Sequence, residues 1–176
     1  MRKLKILGLL IAILSLITVA GCGGGGGGGT PPPPPPTTAV LTISTTTLGA
    51  SPQIGGIYVT VTLPPGVSVQ ADVDGNVINP DTVIVPSGVV SPTTASVAFP
   101  FYDSTTRDLS FLLFSTDPAG NGFGVGQFVT VNCNLSAGSR PAAGDFTAVI
   151  DPYDLSYAKI NDPIPVLFPA VAVALH

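Results

Sequence analysis

From Thr37 onward the chain repeatedly alternates apolar and polar residues with a period of two, and nowhere sustains a 3.6-residue period over three turns. Successive side chains point to opposite faces only in a strand, so this pattern predicts half-buried sheet. Gly56-Ile-Tyr-Val-Thr-Val-Thr-Leu63 is the clearest case. It places Ile57, Val59, Val61 and Leu63 on one face and Tyr58, Thr60 and Thr62 on the other. Pro64-Pro65-Gly66 stops the run, because proline cannot donate to a ladder and glycine permits a turn. Val67, Val69, Ala71 and Val73 then continue the alternation as far as Asp74-Gly75, a tight-turn dipeptide. Further strands are expected over 41–45, 82–85, 95–101, 109–115, 127–135, 146–150 and 169–175. Turn clusters recur between them at roughly 8–15 residues, the spacing of an all-β sandwich. Parallel pairing would need crossover helices, and the pattern offers none. The expectation is an antiparallel β-sandwich.

Composition explains how its outer faces are covered. Only 9% of residues are charged while 45% are hydrophobic, against roughly 25% charged in an ordinary domain. Threonine, serine and asparagine therefore coat the outer faces, which leaves edge strands guarded mainly by scattered prolines. The 21 glycines and 19 prolines lack the three-residue period of collagen.

The first 21 residues read as an address. Arg2, Lys3 and Lys5 precede an apolar run from Ile6 to Val19, shorter than the roughly 20 residues that span a bilayer comfortably. Charge, length and a small-residue end are those of a secretory signal peptide. Val19-Ala20-Gly21-Cys22 resembles the bacterial lipobox. That resemblance implies a diacylglyceryl group and palmitate-type acylation on Cys22, with cleavage after Gly21. It also implies a membrane-anchored lipoprotein of the bacterial cell envelope. Gly23 stands where similar lipoproteins carry the Asp that retains them at the inner membrane, so an outer-membrane location is expected. After cleavage Arg107, Arg140 and Lys159 remain against ten Asp, a formal charge of about −7. Such a balance excludes nucleic acid as partner, since cation–phosphate contacts dominate that binding.

Residues 22–38 form a linker: the lipidated cysteine, a glycine run from Gly23 to Gly29, Thr30, and prolines from Pro31 to Pro36. Glycines give a flexible coil, and six prolines give a polyproline II spacer of roughly 19 Å. Residues 39–176 then suit one domain with one core.

Three stretches of that domain resemble a cohesin, or a carbohydrate-binding module of the same fold. They are Gly55-Gly56-Ile57 through Leu63-Pro64, Arg107-Asp-Leu-Ser-Phe-Leu-Leu-Phe-Ser115 with the glycine-rich loop to Gly126, and Gln127-Phe-Val-Thr-Val-Asn-Cys-Asn-Leu135 with Ser136-Ala-Gly138. Asp145-Phe-Thr-Ala-Val-Ile150 matches the next strand of the pattern. The resemblance implies a jelly-roll-type sandwich, a non-enzymatic role and a protein partner. In cohesins the sheet face that includes the strand before the proline turn receives the partner, which makes Tyr58, Thr60 and Thr62 the candidate binding residues. A carbohydrate-binding module would instead take a polysaccharide. The segment 48–54 departs from the pattern, because cohesins commonly hold a further strand there; a shortened sheet edge is the expectation.

The residues leave little for catalysis. His176, the single histidine, is the last residue and has no partner to orient it, and glutamate is absent. No catalytic residue, metal ligand or cofactor is expected. Asp72-Val-Asp74-Gly-Asn76 has its glycine at the fourth place, not the sixth, so it reads as a hairpin tip. Asp151, Asp154 and Asp162 near Tyr153 are the one set of loop oxygens suited to calcium. Cys133 alternates with Val129, Val131 and Leu135 and should be buried, and Phe99, Phe101, Phe111 and Phe128 are expected in the core. Gly120-Asn-Gly-Phe-Gly-Val-Gly126 reads as a flexible hairpin, and a monomer is expected. Replacing Cys22 by Ala should release the protein from membranes and abolish incorporation of a fatty-acid analogue; a wild type that takes up no label would refute the lipobox.

Overall fold

The computed structural model describes residues 33–161 and 166–176; the signal segment, Cys22, the glycine run, Pro31, Pro32 and Asp162 lie outside them. Nine strands follow in chain order: β1 (Thr38–Thr47), β2 (Gly56–Thr62), β3 (Val67–Ser68), β4 (Ile84–Pro86), β5 (Ala95–Asp103), β6 (Asp108–Ser115), β7 (Gln127–Leu135), β8 (Thr147–Tyr153) and β9 (Leu167–Leu175). All pairings are antiparallel. One sheet runs β3-β7-β1-β9, with β4 sharing the outer edge of β7 beside β3. The other runs β5-β6-β2-β8. The chain crosses between sheets at most connections, the signature of a jelly-roll-type sandwich.

A single apolar cluster fills the space between the sheets. Ala39, Leu41 and Ile43 of β1 and Val129, Val131 and Cys133 of β7 meet Ile57, Val59 and Val61 of β2 and Leu109, Phe111 and Leu113 of β6. Each is a period-two position, and nearly all are inaccessible to solvent. At about 1.5–3 kcal/mol for each large aliphatic or aromatic side chain, this layer is the principal stabilising term.

Several expectations need correction. Strand 95–101 was expected to point Phe99 and Phe101 inward, but both are exposed, Phe99 by 79%. A bulge between Ala98 and Phe101 adds a residue to β5. Phe99 takes it up at φ 53, and the parity of the strand flips, so that Tyr102 enters the core instead. Phe111 and Phe128 are buried as expected. The strand expected over 82–85 begins as one helical turn, Pro80–Val83, because Pro80 suits the first helical position behind Asn79. Only Val67–Ser68 of the following alternation pairs as strand, and Val73 stands fully exposed at the hairpin tip. The segment 48–54 forms no strand, only an isolated bridge at Ile54, as its departure from the cohesin pattern led one to expect, and β1 pairs with β9 along residues 39–47. The glycine-rich loop is not a free hairpin. Phe123 is buried and exchanges two backbone hydrogen bonds with Ile54, of 2.9 and 3.0 Å. A Cβ on Gly122 would overlap the Ile54 carbonyl oxygen, so only glycine fits that approach.

Cys133 is a free, buried thiol, and burial pushes its pKa from 9.0 up to about 12. Its proton is therefore held in the folded chain and lost near the ordinary value in the unfolded one. The contribution to stability is whole below pH 9 and declines as pH rises toward 12. Native protein at pH 8 should resist maleimide labelling until denatured, and melting temperatures should fall between pH 9 and 11 less steeply in Cys133→Ala. Rapid native labelling would place the thiol at the surface.

Candidate functional site on the four-stranded sheet

β2 lies between β6 and β8, and its register fixes what surrounds each outward side chain. Gly56 sits between Phe114 and Tyr153, Tyr58 between Leu112 and Asp151, Thr60 between Ser110 and Val149, and Thr62 between Asp108 and Thr147. Directly opposed residues share a face, so this face carries its aromatic and aliphatic groups at one end and its hydroxyls and carboxylates at the other. Gly56 contributes no side chain to the apolar end. The result is a depression of about 290 Å³ lined by Gly55, Tyr58, Leu112, Phe114, Tyr153 and Tyr157 around Gly56. A Cβ on Gly56 would make ordinary contacts with the Leu113 carbonyl oxygen at 3.4 Å and Phe114 Cβ at 3.6 Å. The space is open to a larger residue. Gly55 is different: a Cβ there would lie 2.6 Å from the Asp154 carbonyl oxygen, so the strand start and the 154–158 turn are pressed together.

That turn presents Tyr157. The Asp154 Oδ1 accepts hydrogen bonds from the Ser156 amide (2.8 Å), the Ser156 hydroxyl (2.7 Å) and the Ala158 amide (3.0 Å). The Ser156 hydroxyl bond, followed by the Ala158 amide, holds the carboxyl below its ordinary pKa of 3.8. Tyr157 takes φ 65 within the turn and stands 87% exposed on the rim. Tyr58 is 39% exposed beside it. Lys159 closes the β8 side, 3.6 Å from Asp151 and 6.0 Å from the Tyr153 ring centre. A second depression of about 210 Å³ shares Gly55, Phe114 and Tyr157 with the first and extends to Asp117, Asn121 and Leu155.

Of the three binding residues expected from sequence, the structure brings only Tyr58 into this groove. Thr60 continues the face, half-buried. Thr62, about 14 Å from Tyr58 at 3.4 Å per residue, donates its hydroxyl to Asp108 and lines a different depression with Arg107 and Arg140. Leu112, Phe114, Tyr153 and Tyr157 were not anticipated. Leu112 and Phe114 sit in a run apolar on both faces, which hides the outward members, whereas Tyr153 is recoverable by counting from Ile150. Tyr157 depends on a turn that residue type alone does not signal.

The aspartates are engaged locally. Asp72 accepts from the Asn76 side chain (3.0 Å) and from the Asn76 and Asp74 amides (2.8 and 3.0 Å), closing the hairpin tip as expected. Asp151 Oδ1 faces Lys159 and Asp154 Oδ1 holds its turn, while Asp162, the third of the loop carboxylates, lies outside the described residues. Among the described residues no three His, Cys, Asp or Glu side chains cluster as metal ligands. His176 is exposed at the end of the sheet, its backbone paired with Thr38.

No family model matches this chain. No curated protein matches it either. Among solved structures it is similar to the type II cohesin dyad from the adaptor ScaA scaffoldin of Acetivibrio cellulolyticus, with a TM-score of 0.46 and 14% identity over 78% of this chain and 44% of that one. It is also similar to a type II cohesin domain from the cellulosome of Acetivibrio cellulolyticus, with a TM-score of 0.41 and 16% identity over 74% of this chain and 85% of that one. The chain thus spans less than half the length of the dyad.

Removing the turn's acceptor should loosen Tyr157 alone. Asp154→Ala is expected to lower amide protection at Ser156 and Ala158 while leaving the core melting temperature nearly unchanged. Because the Asp154 pKa is lowered on folding, its contribution is present above pH 3.8 and is lost as pH falls through the depressed value. Wild-type protection at the same amides should therefore persist at pH 5 and fall only below about pH 3.8; an earlier loss would show that the carboxylate does not hold the turn.

Proposed function

We propose that this chain is a non-enzymatic binding module of the bacterial cell envelope, anchored by lipid on Cys22 and carrying its domain on the Gly/Pro linker. Its cohesin-like sandwich receives a protein partner on the outward face of the four-stranded sheet. The carrying observation is the gathering of Tyr58, Leu112, Phe114, Tyr153 and Tyr157 around the side-chain-free floor at Gly55 and Gly56. Tyrosine buries a large area at small entropic cost and keeps a hydroxyl for hydrogen bonding, so such clusters make interface anchors. The Val-Ala-Gly-Cys22 motif supports the anchor, and Gly23 supports an outer-membrane location.

A second reading rests on the same groove. Aromatic rings that run on to Asp117 and Asn121 also suit the apolar face and hydroxyls of a sugar ring, so a polysaccharide ligand is the alternative. A glycan array set against affinity capture from envelope extracts separates the two. Tyr58→Ala should weaken the bound partner by about 1–2 kcal/mol with little change in thermal stability. Gly56→Val, which places a branched side chain over the floor, should reduce binding at least tenfold. A captured partner indifferent to both substitutions would move the site to another face.

A further inference from the structure

Among the described residues β9 is the outer strand of its sheet and is paired on one side only. Thr38 and His176 exchange backbone hydrogen bonds, and the Leu48 amide donates to the Val166 carbonyl, so even-numbered residues of β9 turn their backbone groups toward β1. The odd-numbered residues face the open edge. That edge is blocked at its beginning and open thereafter. At Leu167, Asn161 occupies both groups: its Oδ1 accepts the Leu167 amide (2.9 Å) and its Nδ2 donates to the Leu167 carbonyl (2.8 Å). Pro169 has no amide to offer. Beyond it, the amides of Val171, Val173 and Leu175 have no hydrogen-bond partner among the described residues.

The open stretch also matches itself. Ala170-Val-Ala-Val-Ala174 reads the same in both directions and carries no charge, in a chain of about −7 after cleavage whose copies otherwise repel. Its outward neighbours on β1 are Val40, Thr42 and Ser44, which are uncharged as well. Ala170, Ala172 and Ala174 are exposed on the outer face, while Val171, Val173 and Leu175 are only partly covered on the inner one. We infer that β9 pairs antiparallel with β9 of a second copy of this chain, about a two-fold axis at Ala172, joining two five-stranded sheets into one.

The backbone accounting fixes this register. With Ala172 opposite its copy, Val171 of each chain meets Val173 of the other as a hydrogen-bonded pair, and the Leu175 amide meets the Pro169 carbonyl. The absent proline amide then costs one bond at each end and leaves the centre whole. The two Ala172 residues form a non-hydrogen-bonded pair, with Cα atoms about 4.5 Å apart, inside the window for a disulfide. Residue 170 faces residue 174 of the copy, and the two copies of residue 170 lie about 13–14 Å apart at 3.4 Å per residue.

The test uses the full chain in its native membrane under mild oxidation. Ala172→Cys should give a covalent dimer in at least tenfold greater yield than Ala170→Cys or Ala174→Cys, while the double variant Ala170→Cys/Ala174→Cys should link again. On detergent-solubilised protein, sedimentation should give a wild-type dimer and an Ala172→Lys monomer, because two like charges then meet at the axis. Each substitution lies on the exposed outer face, so the core is untouched. A monomeric wild type, equal linking at positions 170, 172 and 174, or a link from residue 172 to the linker or to another protein would overturn the pairing.

Discussion

Burial of Ile57, Val59 and Val61 on one side of β2, with β6 and β8 hydrogen-bonded along its two edges, is the constraint from which the rest of the molecule follows. Side chains in a strand alternate strictly, so a slip of one residue would drive Tyr58, Thr60 and Thr62 into the core and expose three aliphatic groups. At about 1.5–3 kcal/mol for each, that loss rivals the whole stability of a small domain. The register therefore locks the outward row as firmly as the inward one. The floor at Gly56, the flanking rings of Phe114 and Tyr153, and the placing of Tyr58 are consequences of core packing. Gly55 adds a second lock, because the Asp154 carbonyl oxygen lies only 2.6 Å from where its Cβ would be and so joins the Tyr157 turn to the same strand.

This dependence also explains what could be read beforehand. Period two reports faces, so wherever a strand is regular, burial followed from spacing alone. The inward rows of β1, β2 and β7 are of this kind, with Cys133 among them. It fails where the period is broken by a backbone event that composition does not announce. The bulge at Phe99 is one, and it reversed the faces of Phe101 and Tyr102. The helical turn at Pro80–Val83 is another, although Asn79-Pro80 carries the signal of a helix start and was recoverable. The candidate site was half legible for the same reason. Tyr58 lies on a regular strand. Leu112 and Phe114 lie where both faces are apolar, and Tyr157 is placed by a positive-φ turn that depends on one carboxylate oxygen.

Scarcity of charge gives the aspartates unusual importance. Asp72, Asp103, Asp117, Asp145 and Asp154 each accept a backbone amide close to them in sequence. The acidic residues are thus spent largely on closing turns, and one ion pair, Lys159 with Asp151, is found among the described residues. Turns closed in this way are held by the chain's own amides, on a surface whose sheets are faced largely by uncharged polar residues such as threonine. The same economy leaves the β9 edge without the lysines that commonly discourage pairing, whereas Lys159 stands beside the β8 edge.

The two surfaces that stand out lie on different sheets, and neither excludes the other. The aromatic groove belongs to the outer face of β2, β6 and β8, whereas the open edge belongs to β9. A chain paired through β9 keeps its groove free, and two copies on one surface would present two grooves in fixed relation. The proposed lipid anchor would strengthen both effects, since tethered copies would meet at high local concentration and a bivalent ligand would rebind before it escapes. A weak groove is then sufficient for firm capture. With the proposed pairing and anchor, affinity measured on a single domain in solution would understate that of the assembled protein, and the difference should disappear when Ala172 is replaced by lysine while Tyr58 is left intact.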